Sequence, residues 1–378
     1  MTSRSASRKS ASLVVPTSEG LWCREGGFHI DPWTPVAKAV VTHAHSDHAT
    51  PGCESYLTST RGSGVLQLRM GPQAKVEPVP FGKSITMDNV RVSLRPAGHI
   101  LGSAQVRVER ITASEDGPAG EVCVVTGDYK VSANGASLDP TCDPFEPVRC
   151  HTLITESTFG LPIYRWANQD AIFRDINSWW RDNAREGRTS IIFAYALGKA
   201  QRVLAGLDAS IGPIGVHGSV EVMCDAYTHA GVQLPKLLRA TGDNVKQLKG
   251  QGLIVAPPST NATRWMSRLR GPEGLATSIA SGWMMVRGQR RRRSVDRGFV
   301  LSDHADWDGL LFAIKESKCE RVGVTHGYVD PFVRYLKETT NLDAFVVPSR
   351  YEGERIESVA GPAPDNDEGS QNPEEATP

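Results

Sequence analysis

From Leu13 to about Gly160 the apolar positions fall in short β-branched runs, many of them alternating with polar residues. Val36 to Thr42 (VAKAVVT), Ser84 to Pro96 (SITMDNVRVSLRP), Ala104 to Arg110 and Val122 to Thr126 predict strands, because period-two alternation buries one face of an extended chain. His151 to Thr155 (HTLIT) predicts one more short buried strand. Each run ends in a loop that holds polar, chemically capable residues. Past Gly160 the pattern changes. Asp170 to Glu186 predicts a helix, Ser190 to Tyr195 a buried strand and Gly198 to Ala209 a second helix, and the alternation continues to about Ala280. Such alternation predicts a parallel α/β unit. Val300-Leu301-Ser302 and Arg321 to Thr325 then return as strands, with Trp307 to Ser317 helical between them. The pattern is that of one domain, 13–160 and 296–351, interrupted by another, 161–295. There are no internal repeats.

Composition sharpens this in three places. At 378 residues the chain exceeds the size at which one core usually stops growing, which favours two domains. The 36 glycines and 24 prolines favour turns and loops over long helical bundles. The 1–12 and 352–378 segments (the latter ending GPAPDNDEGSQNPEEATP) have too little apolar content to offset chain entropy, and both are expected to be disordered. No apolar run approaches the roughly 18 residues of a transmembrane helix, so no membrane association is expected. Met1 to Ser12 has no apolar stretch behind it, which argues against a secretory signal and for a cytoplasmic protein. The 7 cysteines are scattered without a CxxC, so neither a disulfide framework nor a thiolate zinc cluster is expected, only reduced, buried thiols.

The formal net charge of +0 is a cancellation. Leu161 to Arg293 holds 19 Lys and Arg against 9 Asp and Glu, whereas Glu352 to Pro378 holds 8 acids against one arginine. A basic segment inside a neutral chain points to a polyanionic partner. Arg287, Arg290, Arg291, Arg292 and Arg293 form a dense run that is either a solvated loop or a phosphate contact. Trp179, Trp180, Trp265 and Trp283 are candidates for stacking on bases, although Trp179 and Trp180 fit better in the core of a helix.

The densest chemical signal is Thr42-His43-Ala44-His45-Ser46-Asp47-His48, directly after an apolar strand. Imidazole and carboxylate are the usual ligands of zinc and related ions, and a loop at a strand end can converge them. His43 and His45, at alternate positions, would point one way, with Asp47 and His48 set for a second ion. The plain alternative is a polar surface loop, which so ordered a cluster disfavours. Five further residues also sit at or just after predicted strands. They are His99 in PAGHILGS, Asp128 in TGDY, Glu156 in TEST, His304 in SDHAD and His326 in THG. Singly, each has an ordinary reading as a turn residue, a helix-start carboxylate or a satisfied core histidine. Their shared placement makes a common site plausible.

In this order the residues resemble a known family. HAHSDH, PAGHILGS and TGDY are similar to the metal-binding motifs of the metallo-β-lactamase fold. ESTFG, SDHAD and THG resemble the three further motifs of the β-CASP nucleases, and YALGKAQR (Tyr195 to Arg202) resembles the strand-to-helix signature inside their inserted domain. Length and spacing are most similar to the bacterial ligase-associated DNA exonucleases. The resemblance implies a four-layer αββα metallo-β-lactamase sandwich with an inserted α/β β-CASP domain. It implies that His43, His45 and His99 bind one zinc, that Asp47, His48 and His326 bind the other, and that Asp128 bridges them. Asp31 in FHID would support the metal-binding loop. Manganese could substitute for zinc. Hydroxide would attack phosphorus, with Asp47 and Asp128 in the catalytic set, His304 as general acid and Glu156 holding its ring. Lys199 and Arg202, with the arginine run, would be nucleic-acid contacts. Tyr328 follows His326-Gly327 where many relatives have an acid, which leaves substrate preference open.

The implied activity is a DNA exonuclease in end processing or repair, with a lean towards 5′ polarity, DNA before RNA as substrate, and a DNA ligase or helicase as working partner. An RNA-processing nuclease with the same site is the nearest alternative. A small-molecule hydrolase of the fold has no need of a basic insert, and a catalytically dead scaffold has no need of a complete ligand set.

Overall fold

The computed structural model describes residues 12–132, 139–286 and 295–350. Residues 1–11 and 351–378, which hold all but Ser12 of the two end segments expected to be disordered, fall outside the described residues.

Strands β1 (Val15–Thr17), β2 (Gly20–Cys23), β3 (Phe28–Ile30), β4 (Lys38–Val40), β5 (Ser55–Ser59) and β6 (Val76–Val79) form a first sheet in chain order. A second sheet starts with β7 (Ser84–Met87), β8 (Val90–Pro96), β9 (Ala104–Arg110), β10 (Val122–Val125) and β11 (Thr152–Ser157). The chain then leaves it. Strands β12 (Thr189–Phe193), β13 (Ile214–Val216), β14 (Leu237–Arg239), β15 (Leu253–Ala256), β16 (Leu275–Ala280) and β17 (Arg297–Phe299) make a third sheet, order β14-β13-β15-β12-β16-β17. Every pairing in it is parallel. Finally β18 (Arg321–Gly327) and β19 (Asp343–Val346) rejoin the second sheet, whose order is β19-β18-β11-β10-β9-β8-β7. The helices are α1 (Ser63–Met70), α2 (Gln169–Arg185), α3 (Lys199–Ala205), α4 (Gly218–His229), α5 (Asn244–Leu248), α6 (Arg264–Arg268), α7 (Trp307–Ser317) and α8 (Val329–Thr339). None is long and apolar enough to cross a membrane.

Alternation along β10 shows how the layers meet. Cys123 and Val125 enter a core shared with Ile30, Val40 and Leu57 of the first sheet. Val122 and Val124 point to the opposite face, onto Leu310, Ala313, Phe332 and Leu336 of α7 and α8. A one-residue slip would exchange the two faces, so the apolar pattern fixes the register. In the third sheet Ile192 and Ala194 pack with Ile176, Trp180 and Val203 on one side, while Ile191 and Phe193 pack with Leu248 and Met266 on the other. A parallel sheet covered on both faces requires this run of apolar residues. All 7 cysteines are buried and unpaired, in line with their scatter.

The structure shortens the predicted strand Val36 to Thr42 to β4, where the Thr42 N–H goes to Asp31, and corrects three further element boundaries, each for a backbone reason. Ser84 to Pro96 is a hairpin of two strands, because Asp88 takes a left-handed φ of 48° and Met87 pairs with Val90. Val300-Leu301-Ser302 is not a strand. β17 ends at Phe299, and the Ser302 carbonyl accepts hydrogen bonds from Lys130 Nζ at 2.7 Å and Arg202 Nη1 at 3.1 Å. β11 runs beyond HTLIT to Ser157, so Glu156 lies on a strand opposite Thr325 of β18 and not in a loop after it.

Trp180 is 0% exposed, and its indole N–H donates to the Gln251 carbonyl at 2.9 Å, tying α2 to the turn before β15. Trp180→Ala should lower unfolding stability by about 3–5 kcal/mol. Trp179, only partly buried against Phe299, should cost clearly less when truncated. Urea unfolding of both variants checks this, and equal costs would contradict the packing described.

Candidate metal centre

The ligand candidates arrive from the ends of strands in two sheets, and His304 follows β17 of the third. The first piece is the turn after β3, where Asp31 holds a φ of 46°, a strained value for a residue with a Cβ. That conformation aims its carboxylate under the loop that follows β4. Asp31 Oδ1 accepts the Thr42 backbone N–H at 2.8 Å, and Oδ2 accepts the Thr42 hydroxyl at 2.6 Å and His48 Nδ1–H at 2.7 Å. One buried acid therefore pins both ends of the histidine loop. At the far end of β18, His326 and Gly327 both take positive φ, 54° and 78°, and fold back so that the Ser157 hydroxyl donates to the His326 carbonyl at 2.5 Å. Only glycine suits position 327, since a Cβ there would come within 2.4 Å of the Ser157 carbonyl oxygen.

The result is a ring of imidazoles around Asp128. Its Oδ2 lies 3.3 Å from His48 Nε2, 3.6 Å from His43 Nε2, 3.9 Å from His99 Nε2 and 4.0 Å from His304 Nδ1. His45 Nδ1 is 3.1 Å from both His43 Nε2 and His99 Nε2. Within 4.8 Å, ligand atoms group as His43, His45, His99 and Asp128, and separately as Asp47, His48 and His326. His326 stacks on His48 with ring centroids 5.1 Å apart, and Asp47 Oδ2 is 3.7 Å from His48 Nε2. All of the ligand candidates read from the sequence are thus brought together.

The hydrogen-bond directions test whether a cation fits. A carbonyl can only accept, so His99 Nδ1, 2.8 Å from the Asp303 carbonyl, carries its hydrogen, and so does His45 Nε2, 3.2 Å from the Leu197 carbonyl. The Thr42 hydroxyl gives its own hydrogen to Asp31 and accepts from His43 Nδ1 at 3.1 Å. In a neutral imidazole the other nitrogen then bears a lone pair. Three lone pairs, on His43 Nε2, His45 Nδ1 and His99 Nε2, face one another across 3.1 Å contacts. Burial, reinforced by the neighbouring histidines, holds His43 and His99 well below the usual imidazole range, which disfavours protonating either of those rings. A shared cation satisfies all three lone pairs at once. Asp128 Oδ1 is likewise buried with no hydrogen-bond partner, as expected of an atom that awaits a ligand bond. Burial works against the Asp128 and His48 charges, but their mutual attraction prevails, holding the Asp128 carboxyl well below its ordinary range and raising His48.

Beside this cluster stands a second unit. Glu156 accepts the Tyr129 backbone N–H at 2.7 Å, the Thr158 hydroxyl at 2.5 Å and His304 Nδ1 at 2.9 Å. Burial pushes the Glu156 carboxyl up, while the three donors keep it an acceptor that fixes the His304 ring. Asp303 was not legible as a site residue, although it directly precedes His304. Its carbonyl orients His99 and its carboxylate meets Lys199 Nζ at 2.9 Å, inside the fold.

Lys199 and Arg202, expected to meet phosphate, are each 1% exposed. Arg202 spends its guanidinium on Asp139 and on the carbonyls of Gly98, His99 and Ser302. Both are corrected to internal roles, because neither cation reaches solvent. Arg287 and Arg290 to Arg293 lie outside the described residues.

Asp31→Asn retains the shape but sets an amide N–H against a donor, either Thr42 or His48. Affinity for a divalent cation should fall by about 10- to 100-fold, measured by competition with a chromogenic chelator. Unchanged affinity would show that Asp31 does not orient His48.

No family model matches the chain. An Opitutus terrae protein described as a probable DNA ligase is 29% identical over 335 residues, 88% of this chain and 31% of that protein. This chain therefore spans about a third of that relative's length. RNase aCSPSF2 of Saccharolobus solfataricus is 24% identical over 282 residues, covering 66% of this chain and 52% of its own. Cleavage and polyadenylation specificity factor 73 of Drosophila melanogaster is 30% identical over 196 residues, 48% of this chain and 27% of its own. Among solved structures, a protein of unknown function from Enterococcus faecalis shares the fold with a TM-score of 0.55 at 12% identity, over 83% of this chain and 80% of that one. In its ordered motifs and their convergence on Asp128 the chain is similar to these relatives and to the β-CASP nucleases of the metallo-β-lactamase fold that the motifs resemble.

Proposed function

We propose that this chain is a two-metal phosphodiesterase that shortens DNA from an end, in DNA end processing. The observation that carries the reading is His304, an imidazole held 2.9 Å from buried Glu156 at the edge of the cluster; it is additional to the seven ligands implied by the motifs, and its ring also lies within ligand-atom reach of His99 with Asp303 and of Asp128 with Glu156. Hydrolysis of an activated amide or thioester has little use for such a group. An alkoxide leaving phosphorus needs a proton, and a positioned imidazole suits that task near neutral pH.

His43, His45 and His99 would hold one cation and Asp47, His48 and His326 the other, with Asp128 between them. Zinc suits this imidazole-rich donor set, and manganese can take its place. A pair of such cations supplies an acidified water and neutralises charge on the phosphate. The chain's own residues do the rest. Asp31 and Thr42 fix the histidine loop, Glu156 keeps Nδ1 of His304 engaged, and His304 delivers its proton to the departing oxygen from Nε2. Core packing of the first two sheets on each other, with α1 outside one and α7 and α8 outside the other, supports a four-layer metallo-β-lactamase domain over 13–160 and 296–351. The parallel third sheet supports a β-CASP insert over 161–295.

A DNA substrate, and a ligase as working partner, are supported by the match of nearly the whole chain to part of a protein described as a probable DNA ligase. RNA is the second reading, favoured by relatives described as endoribonucleases, such as Gibberella zeae YSH1. Buried, unpaired cysteines are in keeping with action in the cytoplasm. A time course on 5′- and 3′-labelled single- and double-stranded DNA and RNA, with zinc and with manganese, tests substrate and polarity together. Progressive shortening of DNA from one end supports the proposal, while internal cuts confined to RNA would replace it with the second reading.

His304→Ala should keep both metals yet lose DNA cleavage by roughly 10²- to 10⁴-fold. Its loss on a bis-nitrophenyl phosphate ester, whose leaving group needs no proton, should be far smaller. Metal analysis and the two rates check this. Equal losses on both substrates, or loss of a metal, would make His304 a ligand or a structural residue instead.

A further inference from the structure

A group of aromatic rings lies directly against His304 and has no part in holding metal. Phe159 packs against His304 with ring centroids 5.9 Å apart, and Trp166 donates its indole N–H to the His304 carbonyl at 2.9 Å. Around Phe159 stand Tyr164 at 4.9 Å, Trp166 at 4.8 Å and Trp283 at 4.7 Å, and Trp283 reaches Tyr328 at 6.3 Å. These rings come from three distant segments: the loop after β11, the turn after β16 and the residue after His326-Gly327. The turn approaches so closely that a Cβ on Gly282 would lie 2.6 Å from Phe159 Cζ.

The rings divide into a floor and a rim. Phe159 and Tyr164 are 1% and 2% exposed, yet neither packs in the five apolar cores under the sheets. Trp166, Trp283 and Tyr328 are half-buried. The Tyr164 and Tyr328 hydroxyls, 3.2 Å apart, hold two of the rings in orientation. Partly exposed aromatic rings on a rigid aromatic floor offer little to a small hydrophilic ester and a good deal to a planar base, which stacks without sequence preference.

We propose that Trp283, set on Phe159 and flanked by Tyr328, is a stacking subsite for the nucleobase of the nucleotide that carries the leaving oxygen. The proposal rests on the reading of the chain as a nucleic-acid phosphodiesterase and adds to it a specificity-determining contact. It places the base beside the residue that protonates that nucleotide's oxygen, so binding and proton delivery select the same unit. Selection is for a base of any identity, not for a sequence.

The test compares oligonucleotides that are intact or carry a single abasic tetrahydrofuran residue, placed in turn on each side of the scissile bond. In the wild-type protein the abasic residue on the leaving-oxygen side should lower kcat/KM by roughly ten- to a hundredfold, and on the other side much less. In Trp283→Ala the intact and abasic substrates should be cleaved at nearly the same rate, and Trp283→Phe should restore most of the discrimination. The ratio is internal to each protein, so a variant that folds poorly lowers both rates and leaves the ratio readable. If Trp283→Ala discriminates as strongly as the wild type, the stacking subsite is refuted while the phosphodiesterase reading stands. If no oligonucleotide is cleaved by the wild type under any metal condition, both fall.

Discussion

Burying several imidazoles against one carboxylate removes solvation that hydrogen bonds inside the cluster do not return. Asp303, Leu197 and Thr42 each take the hydrogen of one histidine, and by doing so turn the remaining lone pairs of His99, His45 and His43 towards one another. Facing lone pairs at 3.1 Å repel, and the depressed basicity of His43 and His99 disfavours a proton on either ring. A cation among them satisfies all three lone pairs, and Asp128 Oδ1, buried without a hydrogen-bond partner, belongs to a residue of the same group. The rest of the molecule can be understood as what keeps these groups in that unfavourable proximity.

The strands do this by delivering chemistry at their ends. β-branched residues make rigid strands whose two faces are locked in separate cores, so the loop beyond each strand starts from a fixed point. Parallel pairing of β11 with β18 sets Glu156 beside Thr325, one residue from His326. Strain accumulates where the strands end, in the positive φ of Asp31 and His326, and the surrounding hydrogen bonds hold it there. α3 reaches across from the third sheet. Its Arg202 grips the carbonyls of Gly98, His99 and Ser302, so one buried guanidinium ties together the loops that carry His99 and His304.

Ligand types could be read from the sequence because their spacing is local. HAHSDH contributes four groups from six positions, and the other ligands each follow a recognisable apolar run. The strands around them were legible for the same reason, with errors of a few residues where the Thr42 N–H and the Ser302 carbonyl go to side chains instead of a ladder. What stayed hidden depends on distance along the chain. Nothing near His99 announces that the Asp303 carbonyl, 204 residues on, sets its tautomer. Nothing near Arg202 announces that Asp139 and three carbonyls will bury it, so a basic residue in a basic segment reads as a phosphate contact. Trp283 stood out as a stacking candidate by its residue type, but its grouping with Phe159, Tyr164, Trp166 and Tyr328 against His304 was hidden likewise, because the rings come from three segments that are adjacent only in the fold.

Under the proposed function, two cations hold this arrangement. Elemental analysis of the protein, purified without chelator and equilibrated with zinc, is the decisive measurement. Two equivalents per chain, bound tightly enough to survive gel filtration, are expected. One equivalent or none, in protein whose circular dichroism and melting temperature show it folded, would contradict that reading.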